Sequence, residues 1–324
     1  MFTSILFILA GFALLIKGAD YLVDGASNIA KRFGVSTLII GLTIVAFGTS
    51  APELVVNILS ATSGSAEMAL ANINGSSIAN ILLILGIAAL FGNIPVKSRT
   101  VIKEIPFMFL AGVTLVVLLS DSLLDGVSET AISRSDGVVL LLFFVIFLYY
   151  LFLSAKEAAG PAKEERAKMS LKKAIGLTAM GMAGLVLGGK LAVDGATGIA
   201  IAIGISETLV GLTIVALGTS LPELVSSVIA VRKGEPDLAV GGVVGSNIFN
   251  ILMVLGVTST ITPIVVTQAS IIDSVVALAA IALFFILIFT RLGKGTGSRG
   301  IDKYEGILLL TIYGSYITYT IFRG

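Results

Sequence analysis

The chain has 324 residues, of which 56% are hydrophobic and only 13% are charged, and its formal net charge is +1. Soluble domains carry about 25% charged residues, so this composition excludes a soluble enzyme. The absence of His and Cys excludes imidazole acid–base catalysis, thiol nucleophiles, disulfides and ordinary zinc or copper sites. The balanced charge gives no reason to expect nucleic acid as a partner. Any bound ligand must therefore be held by oxygen atoms.

Ten apolar stretches are long enough to cross a bilayer as helices, each crossing needing about 20 residues. The short alternating segments of a membrane β-barrel are absent, so we predict an all-α membrane protein with ten transmembrane helices. The first stretch has no basic residues before it, so we expect a retained helix and not a cleaved signal peptide. The predicted spans are 2–23, 37–61, 67–91, 104–121, 136–155, 173–194, 207–231, 237–260, 272–290 and 305–322.

The basic residues are sorted between the connections that join these spans. Cytoplasmic connections of membrane proteins are enriched in Lys and Arg. About 17 of the 21 basic residues lie in odd-numbered connections, and Arg134 is the one that falls in an even-numbered connection. This pattern predicts a multi-pass protein of the cell membrane with extracellular N and C termini.

The sequence contains an internal repeat in which residue n of the first half matches residue n + 170 of the second. Residues 41–55 recur as 211–225 with about 13 identities in 15. We divide the chain into a first repeat (1–155, with its motif at 41–86), a cytoplasmic linker (156–172) and a second repeat (173–324, with its motif at 211–256). Each repeat has five spans, an odd number, so the second must cross the membrane in the inverted orientation. Inverted repeats of this kind are typical of secondary transporters.

Glu53 and Glu223 occupy equivalent positions deep within apolar spans. A carboxylate at the centre of a membrane helix costs about 2.5–3.5 kcal/mol on insertion scales, so both residues require a functional explanation. Each follows a proline, Pro52 or Pro222, which cannot donate a backbone hydrogen bond. We therefore expect both helices to break there and to offer free carbonyl groups to a cation.

Polar side chains recur near both glutamates at helical spacing. Residues three or four apart share a helix face, so hydroxyls and amides converge with the carboxylates from four helix segments. Such an all-oxygen site suits Ca²⁺ or Na⁺ and does not suit soft metals. The residues of this kind are Thr49, Ser50, Ser76 and Asn80 in the first half and Thr219, Ser220, Ser246 and Asn250 in the second.

Structural roles compete with these interpretations. Ser and Thr hydroxyls often form hydrogen bonds between helices in membranes. For Ser76 or Ser246 alone, the sequence favours this structural role and ion binding equally. Asp24 and Asp194 also recur, but they lie near predicted helix ends, so we interpret them as capping or interfacial residues.

The doubled motif Gly-Thr-Ser-x-Pro-Glu, followed in each half by Gly-Ser-x-x-x-Asn, resembles the two α-repeats of the cation/Ca²⁺ exchanger superfamily. The chain is similar to a prokaryotic sodium/calcium exchanger over nearly its whole length. The resemblance implies ten helices in two inverted five-helix repeats. It also implies that Glu53 and Glu223 bind Ca²⁺ and Na⁺, that Asn80 and Asn250 complete the centre, and that other oxygens surround them. These are the carbonyls of Thr49, Thr219, Ala46 and Ala216 and the hydroxyls of Ser50, Ser220, Ser76 and Ser246.

The resemblance implies an electrogenic antiporter that exchanges about three Na⁺ for one Ca²⁺ by alternating access. It implies no cofactor and no enzymatic activity. Its partners would be the two ions and the lipid bilayer, with no obligate protein partner evident. Some relatives carry Asp at the position of Asn250. Because this chain then offers two central carboxylates and not three, K⁺ dependence is not expected.

Three other functions remain as alternatives. A proton/Ca²⁺ or other divalent cation exchanger is the first, because a buried Glu can also carry a proton. A cation channel is the second, although a tight site on inverted repeats favours alternating access. An intramembrane enzyme is the third, and it is disfavoured because no base accompanies the hydroxyls of Thr49 and Ser50.

Overall fold

A computed structural model gives the fold and describes residues 1–64, 66–96, 103–124, 126, 130–158, 169–203, 216–290 and 300–323. Short strands and two helical turns, Asp121–Leu124 and Ala216–Thr219, lie between the longer helices in the described residues. The strands are β1 (Ile94–Pro95), β2 (Ala131–Ile132), β3 (Ile264–Val265) and β4 (Gly300–Ile301). The longer helices are α1 (Phe2–Phe33), α2 (Thr37–Thr62), α3 (Met68–Phe91), α4 (Glu104–Leu118), α5 (Arg134–Ala158), α6 (Leu171–Ala202), α7 (Leu221–Arg232), α8 (Pro236–Ile261), α9 (Gln268–Thr290) and α10 (Lys303–Arg323).

Several of these helices have the length and composition of membrane spans. Within the described ranges, seven helices qualify, namely α1, α2, α3, α5, α6, α8 and α9, and α4 is a shorter apolar helix. The helices α1 and α5 expose much of their apolar surface, whereas α8 is almost entirely buried. The protein is therefore an all-helical, multi-pass membrane protein. The count of ten crossings stays a prediction.

The end of α1 corrects the interpretation of two acidic residues. Helix α1 continues to Phe33, where Gly34 closes it with φ 66° in the left-handed region. Asp24 therefore lies inside a helix, and so does Asp194 in α6. Of the two roles predicted for these residues, capping is excluded and the interfacial role stays a prediction. Each carboxylate forms an ion pair, Asp24 with Lys233 at 2.7 Å and Asp194 with Lys190 at 3.1 Å.

The predicted helix breaks at the two prolines occur in one half only. In the second half, Ser220 separates the helical turn Ala216–Thr219 from α7. In the first half the expectation is wrong, because α2 remains helical through Pro52 and widens into a π-helix at Gly41–Val45. A proline removes one backbone hydrogen bond, a loss that a helix packed among neighbours in a membrane can tolerate.

Helices α1 and α6 pack together antiparallel through glycines spaced seven residues apart. A Cβ atom at Gly18 would lie 2.8 Å from the backbone nitrogen of Leu185, and one at Gly181 would lie 2.5 Å from that of Leu22. The two backbones therefore touch, as small residues allow in membrane helix pairs. The glycines in this contact are Gly11, Gly18 and Gly25 on α1 and Gly181, Gly188 and Gly195 on α6.

A second close crossing joins the motif helices of the two halves. Gly241 of α8 lies against the backbone of Leu38 in α2, and Gly245 lies against Leu42 and Ala46. A Cβ at Gly241 would be 2.5 Å from the Leu38 carbonyl oxygen, so larger residues do not fit. This crossing brings the start of the first motif beside the second-half residues that follow Gly245.

Two short antiparallel strand pairs also join the halves. Strand β1, after α3, pairs with β4, before α10, and β2, before α5, pairs with β3, after α8. The positions of β1 and β3 are equivalent in the sequence repeat. In each half, the strand that follows the second motif helix therefore pairs with a strand of the other half.

We predict that Gly18→Val destabilises the protein, because overpacking a close contact costs about 1–3 kcal/mol. Gly176→Ala on α6 is the control, since no described atom beyond the adjoining backbone of its own helix lies within 4 Å of a Cβ at that position. Thermal unfolding in detergent should show a lower midpoint for Gly18→Val and an unchanged or higher midpoint for Gly176→Ala. Equal midpoints for Gly18→Val and the unmodified chain would contradict the α1–α6 contact.

Candidate ion-binding site

The two predicted glutamates are buried and lie close to each other. Glu53 in α2 is 1% exposed, and Glu223 in the first turn of α7 is 3% exposed. The two carboxylates are near enough for their charges to interact. In the described part of the chain, Oε2 of each has no hydrogen-bond donor. Two carboxyl groups without a described basic partner therefore meet inside the helix bundle.

Thr49 joins the two halves at this point. Its hydroxyl donates to the Val45 carbonyl oxygen at 3.0 Å and lies 3.4 Å from the Ser246 hydroxyl of α8. The same hydroxyl lies beside the Glu223 carboxylate of α7. Thr49, Ser246, Glu223 and Glu53 thus form one cluster built from α2, α7 and α8.

Asn80 and Asn250 both lie in π-helical turns. The turn Ala79–Ile84 interrupts α3, and the turn Phe249–Val254 interrupts α8 at the equivalent position. A π-turn adds a residue to the helical turn, and such turns are frequent at functional sites. The amide of Asn250 is 1% exposed, and neither its oxygen nor its nitrogen has a described partner.

Unpartnered polar atoms are concentrated around these residues. A buried polar atom without a hydrogen bond costs about 1–3 kcal/mol, so several together indicate a group that binds there. Hard cations such as Ca²⁺ are bound by several carboxylate, amide and carbonyl oxygens. Among the predicted site residues that the structure describes, the unpartnered oxygens are Ser50 Oγ, Glu53 Oε2, Ser76 Oγ, Glu223 Oε2 and Asn250 Oδ1.

The remaining predicted site residues lie on the same helices. Ser220 is buried at the break before α7, Thr219 is half-buried beside it, and Ala46 is buried against Gly245. Ala216 begins the turn that ends at Thr219. Residues 204–215, which include the start of the second motif, lie outside the described residues, as does most of the predicted linker.

The site is limited to two carboxylates. Across the residues that the structure describes, no group of three or more acidic, His or Cys side chains comes together. A divalent cation bound between Glu53 and Glu223 would be neutralised by them. The other ligands would then be neutral oxygens of hydroxyl, amide and carbonyl groups.

Sequence reasoning missed polar residues one helical turn beyond the site. Asn57 is fully buried four residues after Glu53, and it accepts a hydrogen bond from Asn72 of α3 at 3.1 Å. Ser226 and Ser227 of α7 are also buried. The available signal was the same spacing of four residues that identified Thr49 and Asn80.

Comparison with known proteins extends the likeness over the whole chain. The profile of the family "Sodium/calcium exchanger protein" matches residues 3–153 and 173–322. The putative antiporter CaxA of Alkalimonas amylolytica is 41% identical, with 98% of each chain covered. The sodium/calcium exchanger MaX1 of Methanosarcina acetivorans is 31% identical, with 97% of each chain covered. A solved structure of the sodium-calcium exchanger NCX_Mj superposes with a TM-score of 0.81 at 32% identity over 97% of each chain.

The fold and these matches define a membrane transporter and not an enzyme. The chain belongs to the sodium/calcium exchanger family. The resemblance derived from the doubled motif is thereby confirmed.

We predict that Glu53→Gln and Glu223→Gln each weaken Ca²⁺ binding by more than about 100-fold, because even outer-shell changes at metal sites cost 10–100-fold. Each change keeps the size of the side chain and removes one of the two negative charges. Asp194→Asn is the matched control, since Asp194 is also an acidic residue of an apolar helix but pairs with Lys190. Calorimetric titration of purified protein measures all three, and unchanged binding by either glutamine variant would contradict the site.

Proposed function

We propose that the protein is a secondary active antiporter that exchanges Na⁺ for Ca²⁺ at a site built on Glu53 and Glu223. The observation that carries this proposal is the meeting of two buried carboxylates from equivalent positions of the repeat, with unpartnered oxygens around them. Oxygen ligands suit both ions. The relatives MaX1 and NCX_Mj, both named as sodium/calcium exchangers, support the same pair of ions.

The proposed ligands are the residues that the sequence resemblance implied. Glu53 and Glu223 take both ions, Asn80 and Asn250 complete the centre, and the flanking oxygens complete the Na⁺ positions. The close approach of Thr49 to Ser246 supports a site shared by both halves. The flanking residues are Thr49, Thr219, Ser50, Ser220, Ser76, Ser246, Ala46 and Ala216.

Competition for one pair of carboxylates explains the coupling of the two ions. One Ca²⁺ neutralises Glu53 and Glu223, whereas three Na⁺ would leave one positive charge in excess. The empty site would carry two negative charges, which are costly to move through a low-dielectric barrier. We therefore propose that only the loaded site changes its exposure and that each cycle of about three Na⁺ per Ca²⁺ moves net charge across the membrane.

The proposed architecture is ten crossings in two inverted repeats, with both termini outside the cell membrane. Helices α1 and α6 occupy equivalent positions of the repeat and pack antiparallel. Two equivalent membrane helices that run in opposite directions support inversion. The concentration of basic residues in odd-numbered connections supports the orientation.

A proton/Ca²⁺ exchanger is the second candidate, because a buried pair of carboxylates can carry protons as well as Na⁺. Both candidates use the same residues and differ in the ion that drives transport. A channel would conduct without a counter-ion, and coupling to either gradient would exclude it.

We predict that an outward Na⁺ gradient drives uptake of ⁴⁵Ca²⁺ into proteoliposomes and that a pH gradient alone does not. Because each cycle moves a positive charge against the Ca²⁺ flux, an interior-positive potential set by K⁺ and valinomycin should speed this uptake. Vesicles with Glu53→Gln are the control for leak. Uptake driven by pH and insensitive to Na⁺ would favour the proton exchanger, and insensitivity to potential would contradict electrogenic exchange.

A further inference from the structure

Polar side chains continue beyond the proposed site along one groove between α2 and α3. Asn57 follows Glu53 by four residues, and Asn72 precedes Ser76 by four. Residues four apart lie on the same helix face, separated by about 6 Å along the axis. The groove therefore carries an amide pair one helical turn from the site, on the side of the connection between α2 and α3.

The amide pair leaves one buried polar atom without a partner. Asn72 Nδ2 donates to Asn57 Oδ1 at 3.1 Å. Asn57 is 0% exposed, and its Nδ2 has no partner among the residues that the structure describes. An unpartnered N–H group in a protein interior is costly. Helix–helix adhesion explains the hydrogen bond between the two amides, but it does not explain a second amide atom left unpaired.

Reversal of both amides exchanges the unpartnered N–H group for an unpartnered carbonyl oxygen, whose cost a bound cation would remove. The oxygen and nitrogen of an amide are similar in size, so Asn57 Nδ2 can donate to Asn72 Oδ1 with the same geometry. The free atom of Asn57 then becomes Oδ1, an acceptor that a passing cation can use. The free atom of Asn57 can therefore change from an N–H donor to an oxygen ligand while the hydrogen bond between the two amides is kept and neither helix moves.

The other half of the molecule has a cavity at the equivalent place. Ser227 occupies the position of Asn57, and Gly242 occupies that of Asn72. Both line a small cavity between α1, α2, α7 and α8, together with Ser226. The second half thus has a cavity at the place where the first half has the amide pair.

We propose that Asn57 and Asn72 form an additional, transient cation-binding step through which Ca²⁺ or Na⁺ passes between the site and the α2–α3 face of the membrane. The proposal rests on the proposed function. Neutral amide oxygens suit such a step, because conduction requires binding that is favourable but weak enough to release the ion. The charged pair Glu53 and Glu223 then attracts the ion onward.

The natural chain contains no cysteine, so one introduced thiol is a unique target. The test introduces Asn57→Cys, Asn72→Cys, Ser227→Cys or Val56→Cys, the last at a 41% exposed position on the outside of α2. Sealed proteoliposomes of known orientation are treated from one side with a membrane-impermeant, positively charged methanethiosulfonate reagent. Modification rates are measured by intact mass, with and without saturating Ca²⁺.

Asn57→Cys and Asn72→Cys should react from the α2–α3 face at least about tenfold faster than Val56→Cys, because a thiol in lipid does not form the reactive thiolate. Ser227→Cys should react from the opposite face. Ca²⁺ should slow the reaction of Asn57→Cys at least about tenfold, because the bound ion repels the cationic reagent from the groove. Reaction as slow as at Val56→Cys, or reaction unaffected by Ca²⁺, would overturn the proposal.

A second measurement covers the case in which a cysteine variant fails to fold. Asn72→Ala should raise the KM for Ca²⁺ added at the α2–α3 face and leave the KM at the opposite face unchanged. Equal effects on both faces, or none, would indicate a structural role and overturn the proposal. Na⁺-driven Ca²⁺ uptake by the unmodified chain in the same vesicles tests the proposed function separately. Failure of the exchange function is therefore distinguished from failure of the additional binding step.

Discussion

The burial of two carboxylates beside each other is the constraint on which the rest of the structure depends. A single charged side chain at the centre of a membrane helix costs about 2.5–3.5 kcal/mol, and the mutual repulsion of Glu53 and Glu223 adds to that cost. The pair is nevertheless 1% and 3% exposed and has no described basic partner. In the proposed function, bound cations would provide the missing compensation, so ion binding and the stability of the bundle interior would be linked.

The close glycine contacts position the helices that carry these residues. Gly241 and Gly245 bring α8 onto the first turns of α2, which places Ser246 beside Thr49. Helices α1 and α6 expose much of their apolar surface, and α1 is joined to the end of α7 by the ion pairs of Lys233 with Asp20 and Asp24. Burial lowers the pKa of Lys233, but hydrogen bonds and charge from Asp20 and Asp24 outweigh it and raise the pKa overall. Lys233 therefore stays charged at neutral pH and keeps the contact.

Much of the fold and site was predictable because membrane burial leaves strong patterns in a sequence. The ends of α3 and α8 and the burial of Glu53 and Glu223 agree with expectations from apolar length and repeat position. Two features required the three-dimensional packing. The intact helix at Pro52 depends on neighbours that no local pattern encodes, and the partner of Asp24 is Lys233, far away in sequence. The amide pair of Asn57 and Asn72 likewise depends on how α2 and α3 face each other.

The central claim is that Ca²⁺ and several Na⁺ compete for one pair of carboxylates. The most direct measurement is a Ca²⁺ binding isotherm on purified protein, repeated at increasing Na⁺ concentration with ionic strength held constant by choline. The apparent Kd for Ca²⁺ should rise with about the second to third power of Na⁺ concentration, because several Na⁺ displace one Ca²⁺. A Kd for Ca²⁺ that does not change with Na⁺ would contradict a shared site.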